Sequence, residues 1–247
     1  MKLTIITATR NSAHTIDRCQ ASLDNVTPAD GISIEKLVID GGSSDGTLEL
    51  LHGKFADVRI VRQTGKGLYQ ALNEGVESAT GDYVMFVHSD DEVGGVDLRN
   101  ISLDPDRVFY GGVEFIDWDG NVLYRRRAPR FFKNCLSQFP FVFHPNAIYP
   151  RRLLLKYPFD GPRYGLAADM WQINAFRNEV EFVATPAISY RFRVHAESST
   201  VRERARLPWV FWLWRVYVFL LFEDRRVDRM LGFFRGKRSW SVLKTAA

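Results

Sequence analysis

An α/β architecture, a mainly parallel sheet with helices on both faces, is predicted by three observations. Strand-like and helix-like patterns alternate through roughly the first 90 residues, the order that builds crossover units. The apolar run Tyr83-Val84-Met85-Phe86-Val87 is entered by Thr80-Gly81-Asp82 and left by Ser89-Asp90-Asp91, as a buried strand would deliver carboxylates to a sheet rim. The chain has 247 residues, 46% of them hydrophobic and 13% aromatic, enough to bury one sizeable core.

The elements follow in order. Leu3-Thr4-Ile5-Ile6-Thr7 reads as the first strand, and after the polar loop Ala8-Thr9-Arg10-Asn11-Ser12 a helix carries Ile16, Cys19 and Leu23 at helical spacing. Glu35 to Asp40 is the second strand. Gly41-Gly42-Ser43-Ser44-Asp45-Gly46 then turns the chain and caps a short helix through Leu48 and Leu51. Val58 to Val61 is the third strand. The helix after it has the clearest periodicity, with Leu68, Ala71, Leu72, Gly75, Val76 and Ala79 on one face. It leads into the fourth strand and the acid pair. Beyond about residue 105, Val108–Ile116 and Val122–Arg126 flank Asp117-Trp118-Asp119-Gly120-Asn121 as a hairpin with Asp-Gly near its tip. Ala167-Ala168-Asp169-Met170-Trp171 opens a helix running to Phe176.

Charge divides the chain. Residues 202–247 hold eleven Lys/Arg and four Asp/Glu, a net of +7, so with +4 overall the first 201 residues carry −3. Basicity confined to the tail, with no zinc spacing or RNA-binding signature, argues against nucleic acid as a partner. The expected organisation is therefore a catalytic domain over 1–201 and a basic, aromatic helical tail over 202–247. Cys19 and Cys135 are the only cysteines and no leader-like segment opens the sequence, so the expected setting is reducing and cytosolic.

In a parallel sheet the loops after the strands share one edge, so Thr9 to Asn11, Asp40 to Asp45 and Ser89 to Asp91 are expected to converge. The first loop has no glycine, which excludes the Gly-x-Gly-x-x-Gly dinucleotide turn, and no Gly-Lys-Ser/Thr phosphate loop occurs. What remains is a nucleotide pocket in which Asp40 accepts hydrogen bonds from a base or ribose and Asp91 holds a metal. Adjacent carboxylates repel each other and so call for a cation; oxygen ligands favour Mg²⁺ or Mn²⁺, which in turn favour phosphates. The plainer alternative makes Asp90 a turn residue and Asp91 a solvated loop acid.

Thr7-Ala8-Thr9-Arg10-Asn11-Ser12, Val38 to Thr47, Gly65-Lys66-Gly67-Leu68-Tyr69-Gln70-Ala71-Leu72-Asn73, Ala79-Thr80-Gly81-Asp82 and Ser89-Asp90-Asp91 together resemble, in order and spacing, the family 2 glycosyltransferases. The likeness extends through Phe143-His144, Ala167-Ala168-Asp169 and Tyr190-Arg191-Phe192 to about residue 200. The resemblance implies a Rossmann-like GT-A fold and inverting transfer of a sugar from a nucleoside diphosphate to an acceptor hydroxyl. It points to the small, non-processive bacterial enzymes of surface-polysaccharide assembly. Carried over by residue, it implies a donor site in which Thr9 and Asp40 line the base, with Arg10 and Asn11 beside them. Lys66 stands near the nucleotide, Asp90 faces the ribose or sugar, Asp91 binds Mn²⁺ or Mg²⁺, and Asp169 is the catalytic base. An inverting displacement needs one carboxylate for the acceptor proton and a separate electrophile on the leaving diphosphate, and Asp169 and the Asp91 metal would fill those roles.

The sequence also departs from the family. Gln-x-x-Arg-Trp, carried by processive members, is absent, and Ala168 stands where many relatives have an acid. His195 lies in a loop that tends to be glycine-rich in relatives and is a candidate second contact to metal or diphosphate; the alternative is a solvated loop histidine. Asp169 is equally what a helix N-terminus welcomes, and the dipole would keep it ionised. His144, Arg125 and Arg126 are candidate acceptor contacts, against a packed histidine and a solvated basic face. Gly42-Ser43-Ser44-Asp45-Gly46 satisfies Gly-x-Ser-x-Gly, and with Asp169 and His195 allows an α/β serine hydrolase as the competing enzyme. A nucleotide-sugar-binding module without catalysis is the third alternative.

In the tail, 208–222 has a single charge and is shorter than the ~20 residues that span a bilayer. Its tryptophans and the flanking arginines suit a helix lying on an anionic membrane through 208–229, where a lipid-linked acceptor would be met. The alternative is a helix packed on the domain or between subunits. The expected location is peripheral, on the cytoplasmic face of the membrane.

Overall fold

The structure, a computed structural model, describes residues 1–128 and 142–195. Arg130, Cys135, the expected boundary at 201/202 and the whole 208–229 segment lie outside the described residues. The chain divides into two compact units, Met1–Glu114 with Arg125–Phe192, and Phe115–Tyr124 with the residues from Arg193 onward.

The larger unit is built on β1 (Lys2–Thr9), β2 (Val26–Thr27), β3 (Ser33–Asp40), β4 (Val58–Arg62), β5 (Tyr83–Phe86), β6 (Glu92–Asp97), β9 (Ala147–Pro150), most of β7 (Arg107–Ile116) and of β10 (Glu181–Arg193), and the end of β8 (Val122–Arg126), the rest of these three falling in the smaller unit. Its helices are α1 (Ile16–Ser22), α2 (Thr47–Lys54), α3 (Leu68–Ser78), α4 (Arg151–Lys156), α5 (Gly161–Tyr164) and α6 (Ala168–Phe176). The strands form one sheet in the order β2-β6-β10-β7-β9-β5-β1-β3-β4, with β8 on β7. Where strands alternate with helices, β5, β1, β3 and β4 are parallel, as the pattern predicts. Beyond β5 the pairs β5–β9, β9–β7 and β10–β6 are antiparallel while β2 lies parallel to β6, so the whole is mixed rather than uniformly parallel. These antiparallel partners lie far apart in the chain, so no short connection dictates their pairing.

Side-chain alternation places cores on both faces. Ile6 and Ala8 of β1 join Val84 and Phe86 of β5 beneath α3 and α6, while Leu3, Ile5, Tyr83 and Met85 pack with Cys19 and Leu23 of the α1 segment. Ala71, Leu72, Gly75 and Val76 are the buried face of α3, the face its periodicity predicts. The register pairs Thr9 with Asp40 and Ile6 with Phe86, so the carboxyl ends of β1, β3 and β5 share one edge.

In the smaller unit the chain between β7 and β8 turns as the Asp-Gly signal predicts. The Asp117 amide donates to the Asn121 carbonyl at 3.0 Å, and the Asp117 carboxylate accepts from the amides of Asp119 and Asn121. Gly120 supplies the φ of 90° the turn requires. Arg193 is buried and donates to the carbonyls of Asp117 (2.8 Å) and Trp118 (2.6 Å).

Candidate active site

The three loops do converge, and side chains lace them together. Asn11, held at a φ of 53°, donates its amide to Ser43 Oγ (2.9 Å) and accepts from the Ser44 amide on Oδ1 (2.9 Å). Ser12 Oγ lies 2.9 Å from Ser89 Oγ, which ties the first loop to the acid pair. The Ala13 amide donates to Asp45 Oδ2, whose Oδ1 accepts from the Thr47 amide and hydroxyl. Asp45 therefore caps α2 from one residue before its N-cap, Gly46. Ser44, the nucleophile of the hydrolase alternative, is exposed on this turn and its amide serves the loop lacing.

Asp40 is buried, with Oδ2 accepting from the amides of Gly42 (2.9 Å) and Ser43 (3.1 Å) and Oδ1 from the Ser43 hydroxyl. Its carboxylate thus builds the turn that shapes the pocket. Next to it Thr9 is also buried, and its Oγ1 has no partner, an orphan of the kind a ligand satisfies. Arg10 and Lys66 are exposed, Lys66 between Gly65 and Gly67 at the start of α3.

Asp91 is 1% exposed, while Asp90 beside it is half-buried. Burying a carboxylate is costly without partners. The Tyr190 hydroxyl donates to Asp91 Oδ2 at 2.7 Å, and the Asp91 amide donates to the His88 carbonyl. Tyr190 arrives from β10, which pairs with β6 immediately after the acid pair. Burial and the Asp91 charge hold the Tyr190 hydroxyl well above its usual range, so it stays a donor. Burial, Asp91 and Asp90 likewise push the Cys19 thiol up. Asp91 is therefore no solvated loop acid.

Among the described residues no third His, Cys, Asp or Glu joins Asp90 and Asp91. One or two carboxylates fit an ion such as Mg²⁺ or Mn²⁺ that completes its shell with water and substrate phosphates, rather than an all-protein cage.

Asp169 opens α6, half-buried, and its Oδ1 accepts from the Met170 amide at 2.7 Å. Burial raises its pKa to about 6, outweighing that hydrogen bond. The helix terminus alone would have kept it lower. Burial, with the charge of Asp169, raises the phenols of Tyr69 and Tyr149.

His144 belongs to the core rather than to an acceptor surface. It is 4% exposed, stacked at 4.7 Å on Phe86 and 5.5 Å from Tyr149, with Phe159 edge-on at 5.0 Å. Burial and nearby His88 lower its pKa to about 3, so it is neutral at physiological pH. Arg125 is exposed and paired with Glu114 at 2.7 Å, while Arg126 is half-buried. His195 lies in the smaller unit, edge-on to Trp118 at 5.8 Å.

Sequence reasoning gave no role to His88, Tyr190 or Tyr69. Tyr69 and Tyr190 lie in recognisable motifs, but only the pairing of β10 with β6 and the packing of α3 beside Phe159 reveal what they touch.

The family model described as Glycosyl transferase family 2 matches residues 4–157. A PGL/p-HBAD biosynthesis glycosyltransferase of Mycobacterium tuberculosis is 32% identical over 119 residues, 44% of this chain and 45% of that protein. The putative glycosyltransferase EpsH of Bacillus subtilis is 24% identical over 227 residues, 83% of this chain and 64% of EpsH. The chain thus spans less than two thirds of the length of either. Among solved structures, Staphylococcus aureus TarS (residues 1–349) in complex with UDP matches with a TM-score of 0.59 and 21% identity, over 80% of this chain and 62% of that one. The mannosyltransferase PcManGT of Pyrobaculum calidifontis, in complex with GDP-Man and Mn²⁺, matches with a TM-score of 0.52 and 22% identity, over 76% of this chain and 56% of that one. These two show the fold.

Proposed function

The chain belongs to glycosyl transferase family 2, and from that premise we propose that it moves a sugar from a nucleoside-diphosphate donor to an acceptor hydroxyl with inversion, in polysaccharide or glycolipid assembly. The observation that carries this reading is the lacing of three strand-end loops around Asp91, a carboxylate kept buried by Tyr190 at the sheet edge where ligands of such folds bind. The UDP and GDP-Man complexes of TarS and PcManGT support a nucleotide-sugar donor.

In this reading the nucleotide lies against the first two loops, where Thr9 Oγ1 gains the partner it lacks and Arg10, Asn11 and Lys66 line the donor. Asp90 faces the ribose or sugar. Asp91, with Asp90, would hold Mg²⁺ or Mn²⁺. Bound there, the cation would supply neutralisation of charge on the leaving diphosphate. Asp169 takes the proton of the acceptor hydroxyl as its oxygen attacks the anomeric carbon and the bond to the diphosphate breaks on the opposite face. With a pKa of about 6, this carboxyl is mostly ionised at neutral pH yet more basic than an ordinary aspartate. The acceptor is a saccharide or a lipid-linked one, with Arg125 and Arg126 as candidate contacts. The aromatic and arginine-rich 208–229 segment supports action at the cytoplasmic membrane surface.

Asp91→Asn tests the metal assignment, because it removes a negatively charged oxygen ligand from a hard-cation site. A UDP- or GDP-sugar at about a hundred times its dissociation constant, with Mn²⁺, should stabilise the unaltered protein by roughly 2.7 kcal/mol. That thermal shift should vanish in the variant. Unchanged Mn²⁺-dependent nucleotide affinity would sink the assignment.

A further inference from the structure

Strand β10 does not run evenly along β6. Ser189 pairs with Gly95 but Tyr190 pairs with Val93, so Gly94 is an extra residue on β6 and the register shifts by one there. Past this bulge the Tyr190 hydroxyl meets both ends of one tight turn. It accepts from the His88 amide at 3.2 Å and donates to Asp91 Oδ2 at 2.7 Å, while the turn itself is closed by the Asp91 amide on the His88 carbonyl at 3.0 Å. We infer that Tyr190 is a positioning residue for the cation: it clamps the turn that carries Asp91 and fixes the direction of the carboxylate, and the Gly94 bulge brings it into reach. This rests on the reading of Asp91 as a metal ligand.

The surroundings give the clamp little freedom. Tyr190 is fully buried in the core that holds Cys19, Val87 and Val93, and its ring lies 6.3 Å from that of Phe143. The His88 carbonyl also accepts from Cys19 Sγ at 3.4 Å, which ties the same turn to α1. The bulge is tight as well, since a Cβ on Gly94 would stand 2.7 Å from Ser189 Oγ and 3.2 Å from both Ser189 Cβ and Arg191 Cγ. One register further, Arg191 faces Glu92 and forms an ion pair with it. Without the extra residue Arg191 would stand opposite Val93 instead. The charge of the donor matters here: a phenol holds the carboxylate without neutralising it, whereas a guanidinium in its place would repel the cation. An ion that takes only one or two carboxylates from the protein depends on the direction of each.

Tyr190→Phe keeps the ring and removes only the hydroxyl. Mn²⁺ binding, followed by EPR alone and with UDP or GDP, should weaken roughly 10- to 100-fold, the usual cost of losing a hydrogen-bond partner of a metal ligand. Affinity for the same nucleotides without metal should hold, and exchange of the His88 amide should quicken in the metal-free protein. Gly94→Ala leaves every group of the clamp in place and should weaken Mn²⁺ binding in the same direction. Adding Ser189→Gly should restore it, because the atoms a new Cβ meets at 2.7 and 3.2 Å on Ser189 are then gone. Where Tyr190→Phe does not fold, this second pair of variants decides. Asp91→Asn is run alongside. If the unaltered protein binds no Mn²⁺, or Asp91→Asn binds it equally well, the metal reading of Asp91 fails and the positioning role falls with it. If Asp91→Asn loses Mn²⁺ while Tyr190→Phe and Gly94→Ala both keep the unaltered affinity, only the positioning role is overturned. A matching loss of metal-free nucleotide affinity in Tyr190→Phe would overturn it too, since the pocket and not the carboxylate would have moved. Weakening in Tyr190→Phe alone upholds the clamp and overturns the part given to the bulge.

Discussion

Asp169 is placed at some cost to stability. Its carboxyl titrates near 6 in the folded chain against an ordinary value of 3.8, because burial penalises the charged form. A group whose folded pKa is raised contributes stability that is fully present below the unfolded value and lost as pH rises through the folded one. Between about pH 4 and pH 6 the fold should therefore lose on the order of 3 kcal/mol at this one site. Asp169→Asn should raise the thermal midpoint at pH 8 and leave it nearly unchanged at pH 4, while lowering transfer by about 10²- to 10⁴-fold, the usual worth of a general base. Thermal melts at the two pH values check the first half, and a variant less stable than the parent at pH 8 would contradict it. For the unaltered protein the rate should fall as pH drops through about 6, as the base is protonated. Single residues differed in how far the sequence exposed them. The place of Asp91 at a strand end was legible because an acid pair closes an apolar run, whereas its burial and its Tyr190 partner were not. The packed state of His144 was not, since nothing along the chain says that Phe86, Tyr149 and Phe159 surround it.

At the level of elements, the alternating first half was readable because each helix carries its periodicity and each parallel strand returns beside an earlier one. The antiparallel half was not, since pairing β10 with β6 joins residues about a hundred positions apart, and no local pattern specifies it. Its tightest point is Gly111 on β7. A Cβ there would stand 1.8 Å from the Ile188 carbonyl oxygen of β10, backbone that no side-chain rotation can move aside. The Gly111 carbonyl also accepts from Asn146 Nδ2 at 2.5 Å, which holds β7 in place on its other side. Gly111→Ala should therefore destabilise by about 3 kcal/mol or more, at the upper end of overpacking effects. Gly112→Ala is the control: its nearest neighbour would be the Arg126 carbonyl oxygen at 3.1 Å, so its loss should be smaller. Denaturant midpoints rank the two, and equal losses would show that β7 and β10 yield more readily than their spacing implies.

For the whole molecule, charge is the property that reads furthest from sequence, because it needs no pairing or packing to be counted. The first 201 residues carry −3 and the last 46 carry +7. No helix among the described residues is long and apolar enough to cross a membrane. The 208–222 stretch couples fifteen residues of a single charge to arginines on either side. Two forces are then available at an anionic surface, and salt separates them. Burial of tryptophan, phenylalanine and leucine is indifferent to ionic strength, whereas the arginines, at roughly 1 kcal/mol each near the surface, weaken as the Debye length shrinks. In co-sedimentation with phosphatidylserine-containing vesicles, the full chain should bind at low salt and bind less, without releasing fully, at high salt. Truncation after Arg206 should abolish binding while donor hydrolysis in solution persists, since the groups assigned to chemistry all precede that point. If the full chain ignores vesicles at low salt, or the truncated chain unfolds, the segment is part of the core or of a subunit interface, and the arginines answer to protein rather than lipid.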